Sequence, residues 1–263
     1  MMQKRNEISR AEKRRKKRDP VSMILLSAII ILVMFIGVSF LKEFLFSLGI
    51  QEENEQLRKD FTIEENGDRE INFSELQEVN EDICGWIVLD DTSIDFPLVQ
   101  GGDNMEYLNK NAYGEAAIYG AIFLDSRNQT DFSDPFSILY GHHMKDGNMF
   151  GDIDLFEKET FFRTHESGTL YTPQAVFALK TIAYILTDCE DPYIFTPEQW
   201  REKDKTELYT YMNQKSMYIS SEIDKIKKDE RTKVLALSTC SIHGDRQRSV
   251  LLLEVLPVSD SDL

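Results

Sequence analysis

Cysteine is scarce: the 263 residues hold three, Cys84, Cys189 and Cys240. So small and odd a number excludes a disulfide-stapled scaffold and leaves at least one thiol unpaired or reactive. For Cys84 and Cys189 the default is a buried hydrophobic thiol. Histidine is nearly as sparse, with His142, His143, His165 and His243 making up all four. No Cys/His/carboxylate spacing completes a zinc site, so neither a metal nor a cofactor is expected. Positive charge is in short supply beyond residue 42. From Glu43 to Leu263 there are 20 Lys plus Arg against 43 Asp plus Glu, a net of about −23, which argues against nucleic acid or anionic lipid as a partner of that segment.

The basic charge is concentrated at the start, where the first 18 residues carry nine Lys and Arg against two Glu. Val21–Leu41 then runs 21 residues without a charge, enough to cross a hydrocarbon core of about 30 Å. No small-residue cleavage pattern follows, and the run exceeds the roughly 7–15 residues of a signal-peptide core, so it reads as a retained signal anchor. The positive-inside rule keeps the basic tail in the cytoplasm and sends Lys42 onward outside. The expected organisation is a basic cytoplasmic tail (1–20), a transmembrane anchor (21–41), a charge-dense stalk (42–72) and one folded domain (73–263), in a single-pass protein of the cell membrane.

Within that domain a helical patch is expected at Phe73–Ile83, with Ser74 as its cap and Leu76, Val79 and Ile83 at spacings of three and four. Short β-like runs follow, punctuated by Gly, Asp, Asn and Pro: Trp86–Leu89, Ser93–Gln100, Ala121–Asp125, Phe136–Gly141, Thr169–Thr172, Ala175–Leu186, Val234–Cys240 and Ser249–Leu256. Eight such runs predict a mainly β domain built as a closed or nearly closed barrel. Thr196-Pro197-Glu198-Gln199 has the capping-box pattern of a helix start, and Trp200, Leu208, Tyr211 and Met212 give that helix an apolar face.

Chemistry concentrates at two places. In "LALSTCSIHGDRQRSVLLLEV", Cys240 ends one apolar run and Arg248 opens the next. If the two runs pair as a hairpin, the loop Ser241–Gln247 brings both to one rim, where a fixed positive charge favours thiolate over thiol and meets a developing oxyanion. The plain alternative for such an arginine is a surface residue. In "FSILYGHHMKDGNMFGDIDLF", His142 and His143 follow a strand end, the place for an acid or base at a rim. Neighbours along a strand point to opposite faces, so only one of them can reach the thiol. His165 and His243 have weaker claims, although His243 lies within three residues of Cys240.

"LSTC" with a following Arg-x-Val, "YGHHMKDGNMFGD", and "GWIVLDDTSIDFPLVQ" together resemble a sortase, and the form of the histidine motif resembles class B. The likeness runs from about Phe73 to Leu256. It implies an eight-stranded sortase β-barrel with added helices, and a membrane-anchored cysteine transpeptidase of Gram-positive bacteria. By this resemblance His142 is the general acid and base, Cys240 the nucleophile and Arg248 the oxyanion-binding residue. The helix from about Thr196 to Asn213 stands where class B members carry one beside the substrate groove. The partners implied are surface proteins bearing a C-terminal sorting motif and the amine of a lipid-linked peptidoglycan precursor. One departure is a short gap from Cys240 to Arg248, with Arg246 nearby. The alternatives are a secreted cysteine protease with water as acceptor, a catalytically idle binding barrel, and a pilin-polymerising sortase. For the last, neither an Asp-Pro lid segment before the barrel nor a second hydrophobic span is found.

Overall fold

The computed structural model describes residues 20–65, 68–144, 146–226, 232–240, 244 and 246–258. The chain forms two compact units, Met1–Ile50 and Gln51–Leu263. The apolar run lies in helix α1 (Pro20–Phe61), the one helix among the described residues long and apolar enough to cross a membrane. In the first unit its large apolar side chains from Val21 to Leu41 are exposed.

The second unit is a closed barrel. Its strands are β3 (Ile83–Leu89), β4 (Asp95–Val99), β5 (Ile122–Leu124), β6 (Phe136–Tyr140), β7 (Ser167–Tyr171), β8 (Val176–Asp188), β10 (Lys233–Cys240) and β11 (Gln247–Pro257). The order around the ring is β11-β10-β6-β5-β4-β3-β7-β8, and β8 pairs back onto β11 to close it. Pairs β10/β6 and β4/β5 are parallel and the rest antiparallel. Each of the eight β-like runs of the sequence forms one of these strands. A short strand the sequence did not announce, β9 (Ser216–Ile219), attaches to β8 outside the ring.

Burial on both faces explains why the last two runs are almost wholly apolar. Leu235, Leu237, Leu251, Leu253 and Val255 fill the barrel interior. Their alternates Val234, Ala236, Val250 and Leu252 pack outward under Ile194, Trp200, Leu208, Tyr209 and Met212 of the helical segment between β8 and β9.

That helical segment is broken where a single helix was expected. It consists of α4 (Pro192–Phe195), a 3-10 turn (Pro197–Arg201) and α5 (Lys205–Lys215). Thr196 makes no capping hydrogen bond. Aspartates take that role: Asp191 accepts from the Tyr193 amide at 2.9 Å and Asp204 from the Thr206 amide at 2.8 Å. A carboxylate at an N-cap satisfies an orphan amide and adds a favourable interaction with the helix dipole. Likewise the helix α2 (Phe73–Val79) is capped by Asn72, whose side chain accepts from the Glu75 amide at 3.2 Å, and not by Ser74.

Residues 51–72 pack closely within the second unit. After α1 the chain makes a hairpin, β1 (Thr62–Glu65) with β2 (Asp68–Ile71). Leu57 and Ile71 are buried in a cluster with Leu76, Ile83, Trp86 and Tyr107. Asp95 ties this end to the barrel, accepting two bonds of 3.0 Å from Arg69 and one of 2.6 Å from the Trp86 indole. Leu57→Ala is therefore expected to cost about 2–5 kcal/mol of stability, read as a lower urea midpoint followed by tryptophan fluorescence. An unchanged midpoint would mean that the end of α1 does not belong to the folded unit.

Candidate active site

Strands β10 and β11 form an antiparallel hairpin in which Cys240 and Arg248 are Cα partners. The last residue of one strand thus stands opposite the second residue of the other, at one rim of the barrel. On its other side Arg248 pairs with Thr187 of β8. His142 reaches the same rim from β6: beyond Tyr140 the Gly141 amide continues the ladder, donating to the Ser238 carbonyl at 3.2 Å. Gly141 is required by close approach, since a Cβ there would lie 2.5 Å from the Ile122 side chain and 2.7 Å from that of Phe150. Gly120, at φ +62, lets the chain pass beneath the His142 ring, where a Cβ would be 3.1 Å from Cδ2.

A cleft of about 310 Å³ opens here, lined by His142, Arg248, Ser238, Thr239 and Cys189, with Asn104, Leu108, Phe123, Tyr140 and Phe195 as its further walls. The His142 Nε2 lies 2.9 Å from the Leu108 carbonyl. Because a carbonyl only accepts, Nε2 carries the proton in this contact. Ser238 Oγ and Thr239 Oγ1 are buried with no hydrogen-bond partner among the described residues. A larger open groove of about 920 Å³ runs along α5 and the end of β8, and neither His142 nor Arg248 lines it.

The other sequence candidates are placed as follows. His143 turns away from the cleft, with Nε2 2.9 Å from Asp154 Oδ2. His165 stacks on Phe161 with centroids 3.5 Å apart, and its Nδ1 lies 3.0 Å from the Phe161 carbonyl, so it serves packing. His243 lies outside the described residues. Arg246 is held on the outer rim by bonds of 3.2 and 3.0 Å to Asp188 and 3.0 Å to Glu190. The thiols of Cys84 and Cys189 are both free. Burial pushes the Cys84 thiol up to about 12, making it inert at neutral pH.

Sequence reasoning missed the far walls of the cleft. Asn104 and Leu108 come from the connection between β4 and β5, and Phe195 from α4; nothing periodic marks them. Asn104 and Phe195 are tied to a buried carboxylate. Asp125 accepts from Arg127 at 2.9 and 2.7 Å, from the Tyr140 hydroxyl at 2.9 Å and from Asn104 Nδ2 at 2.9 Å. Arg127 in turn donates to the Phe195 carbonyl at 2.9 Å, and Tyr140 stacks on Phe195.

Burial raises the Asp125 pKa, but the Arg127 guanidinium and amide and the Tyr140 hydroxyl more than reverse this and hold it below the ordinary value of 3.8. A folded pKa below the unfolded one gives stability that is present above the unfolded value and lost as pH falls through the folded one. The melting temperature of the wild type is therefore expected to drop below about pH 4, with a smaller acid-dependent drop in Asp125→Asn. Equal acid sensitivity in the two proteins would assign the loss to other carboxylates.

No family model matches the sequence. Among curated proteins, the sortase B of Listeria monocytogenes is 31% identical over 189 residues, covering 72% of this chain and 75% of the relative. Among solved structures, a Streptococcus pyogenes class B sortase involved in pilus biogenesis is 33% identical with a TM-score of 0.64, covering 70% of this chain and 97% of that one. A Bacillus anthracis protein described as similar to sortase B is 28% identical with a TM-score of 0.67, covering 80% of this chain and 96% of that one. At this identity and coverage, and with the barrel shared by these solved structures, the chain belongs to the class B sortases, which are cysteine transpeptidases.

Proposed function

We propose that this sortase is held in the cell membrane by residues 21–41, with 1–20 in the cytoplasm and the barrel outside, and that it joins surface proteins to a peptidoglycan precursor. Cys240 is the nucleophile, His142 the acid and base, and Arg248 the oxyanion donor. The observation that supports this reading best is the register that makes Cys240 and Arg248 cross-strand partners, beside a cleft lined by both Arg248 and His142.

The reaction runs in two halves. The Cys240 thiolate adds to the carbonyl carbon at the scissile bond of a sorting motif, forming a C–S bond and an oxyanion that the Arg248 guanidinium meets. His142, as imidazolium, gives its proton to the departing amine as the C–N bond breaks, leaving a thioacyl enzyme. With Nε2–H directed to the Leu108 carbonyl, Nδ1 is the nitrogen that exchanges this proton. The acceptor amine then attacks the thioester, His142 takes its proton, and the thiolate leaves as the new amide forms. Confinement of both substrates to one membrane surface raises their effective concentration, so tight binding is not required.

A second reading shares the first half-reaction and differs in the acceptor. The resemblance to the Streptococcus pyogenes enzyme involved in pilus biogenesis favours an amine carried by another protein subunit. The two are separated by whether sorting substrates become polymers or wall-linked monomers. A peptide library assayed with and without an added amine tests both against simple hydrolysis, in which no new amide forms.

Cys240→Ala is expected to abolish turnover, whereas Cys84→Ala and Cys189→Ala retain it. His142→Ala should cost far more than His143→Ala. Arg248→Ala should lower kcat by about 10²–10³ with little change in KM, the pattern of a donor acting in the transition state. Arg248→Lys should restore only part, because an ammonium lacks the planar fork. Arg246→Ala should cost much less, its guanidinium being committed to Asp188 and Glu190. Steady-state kinetics on this set decides the roles, and a larger loss at Arg246 than at Arg248 would move the oxyanion role to the loop.

A further inference from the structure

Behind the cleft, on the interior side of the rim, runs a chain of polar side chains for which the two-step reaction has no evident use. The Tyr184 hydroxyl donates to Ser249 Oγ at 3.1 Å, and Ser249 Oγ donates to Asp154 Oδ1. The other oxygen of the same carboxylate, Oδ2, is 2.9 Å from His143 Nε2. Tyr184 and Ser249 are fully buried, and the Asp154 side chain is 10% exposed. Buried polar groups of this kind carry a desolvation cost that only a complete network offsets.

What makes the network informative is its position along the chain. His143 directly follows His142, and Ser249 directly follows Arg248. Successive residues of extended chain point to opposite sides. His142 and Arg248 line the cleft, while their next neighbours turn inward and meet on one carboxylate. Asp154 itself sits in the 3-10 helix Gly151–Glu157, which returns to the histidine segment through the Phe150 amide, 3.1 Å from the His142 carbonyl. Two backbone segments, one just past the end of β6 and one on β11, each carrying one cleft-facing group, are thus clamped at a single point.

We propose that Asp154 is a positioning residue for the transfer reaction, holding His142 and Arg248 at a fixed separation through their chain neighbours His143 and Ser249. This rests on the roles assigned above to His142 and Arg248. Acid, base and oxyanion donor must act on one substrate carbonyl at once, and a displacement of about 1 Å at such a site can cost about 10² in rate. The clamp acts on geometry and not on substrate contact, so its loss falls on kcat and leaves KM nearly unchanged.

The test is steady-state transpeptidation by the full chain in detergent, with melting temperature and the iodoacetamide alkylation rate of Cys240 measured on each variant. Asp154→Ala is expected to lower kcat by about 10–100-fold with KM within about twofold, and to slow Cys240 alkylation. Asp154→Asn, which keeps two hydrogen-bonding atoms in place, should recover much of the loss. His143→Ala and Ser249→Ala should each give part of it, and their double variant less than the product of the two, because both act through one carboxylate. Asn128→Ala, which removes the buried bonds to Asp134 and Phe136 near the start of β6, controls for destabilisation alone. It should lower the melting temperature without moving kcat or alkylation below the unfolding range. If Asp154→Ala matches wild type while His142→Ala is inactive, the clamp is overturned and the site reading stands. If His142→Ala is itself near wild type, the site reading falls. Independent, multiplicative losses at His143 and Ser249 would also overturn the clamp.

Discussion

Closure of the barrel through β11 is the constraint on which the rest depends. This strand pairs with β10 on one side and β8 on the other, and it is buried on both faces. A slip of one residue would exchange Leu251, Leu253 and Val255 in the interior for Val250, Leu252 and the charged Glu254. The barrel core does not tolerate the exchange, since it would replace fitted leucines and bury the Glu254 carboxylate among apolar side chains. The register is therefore fixed by apolar packing well away from any chemistry. Arg248 inherits its place opposite Cys240 from leucines and valines further along the strand.

The outer helical layer has a second consequence. By covering the outer face of β6, β10 and β11 it brings Phe195 over Tyr140, whose rings stack 6.4 Å apart. The cleft wall is thus built where a packing helix meets a strand end, and Asp125 locks it by binding Arg127, Tyr140 and Asn104 together. An ion pair with one partner fully buried is a costly element unless every lone pair is used, and here the carboxylate accepts from three side chains. The wall is rigid because the same group anchors the loop before β5, the end of β6 and, through Arg127, the end of α4.

The strands were legible because burial on both faces writes continuous apolar runs, and turn residues bound them on each side. The hairpin of Cys240 and Arg248 was legible for the same reason. Helix starts were less so. Thr196 and Ser74 fit the capping pattern, but Asp191, Asp204 and Asn72 lie within a few residues, and local geometry decides among neighbouring oxygens that sequence cannot rank. The segment before the barrel reads as a solvated or helical stalk because its apolar residues are few and aperiodic; that Leu57 is buried while Ile63 is 54% exposed is set by tertiary contact. The far walls of the cleft were illegible because Asn104, Leu108 and Phe195 come from aperiodic connections, and Asn104 and Phe195 are held through Asp125 from elsewhere in the chain.

The histidine pair shows how a motif can hold more than one kind of information. His142 stands past the end of β6, where its ring meets the cleft and the Leu108 carbonyl. His143 follows it, so the pleat sends its ring the other way, to a carboxylate that also takes the hydroxyl of Ser249. The dipeptide Arg248-Ser249 repeats the arrangement on β11, one residue toward the cleft and the next inward. Each dipeptide therefore joins a cleft-facing group to a buried fastening. On the clamp proposed above, a substitution at the second position shifts the first without touching the cleft, because covalent neighbours share one backbone trajectory. In this arrangement the precision of an open, solvent-facing site comes from a closed polar network on the inner side of the barrel wall.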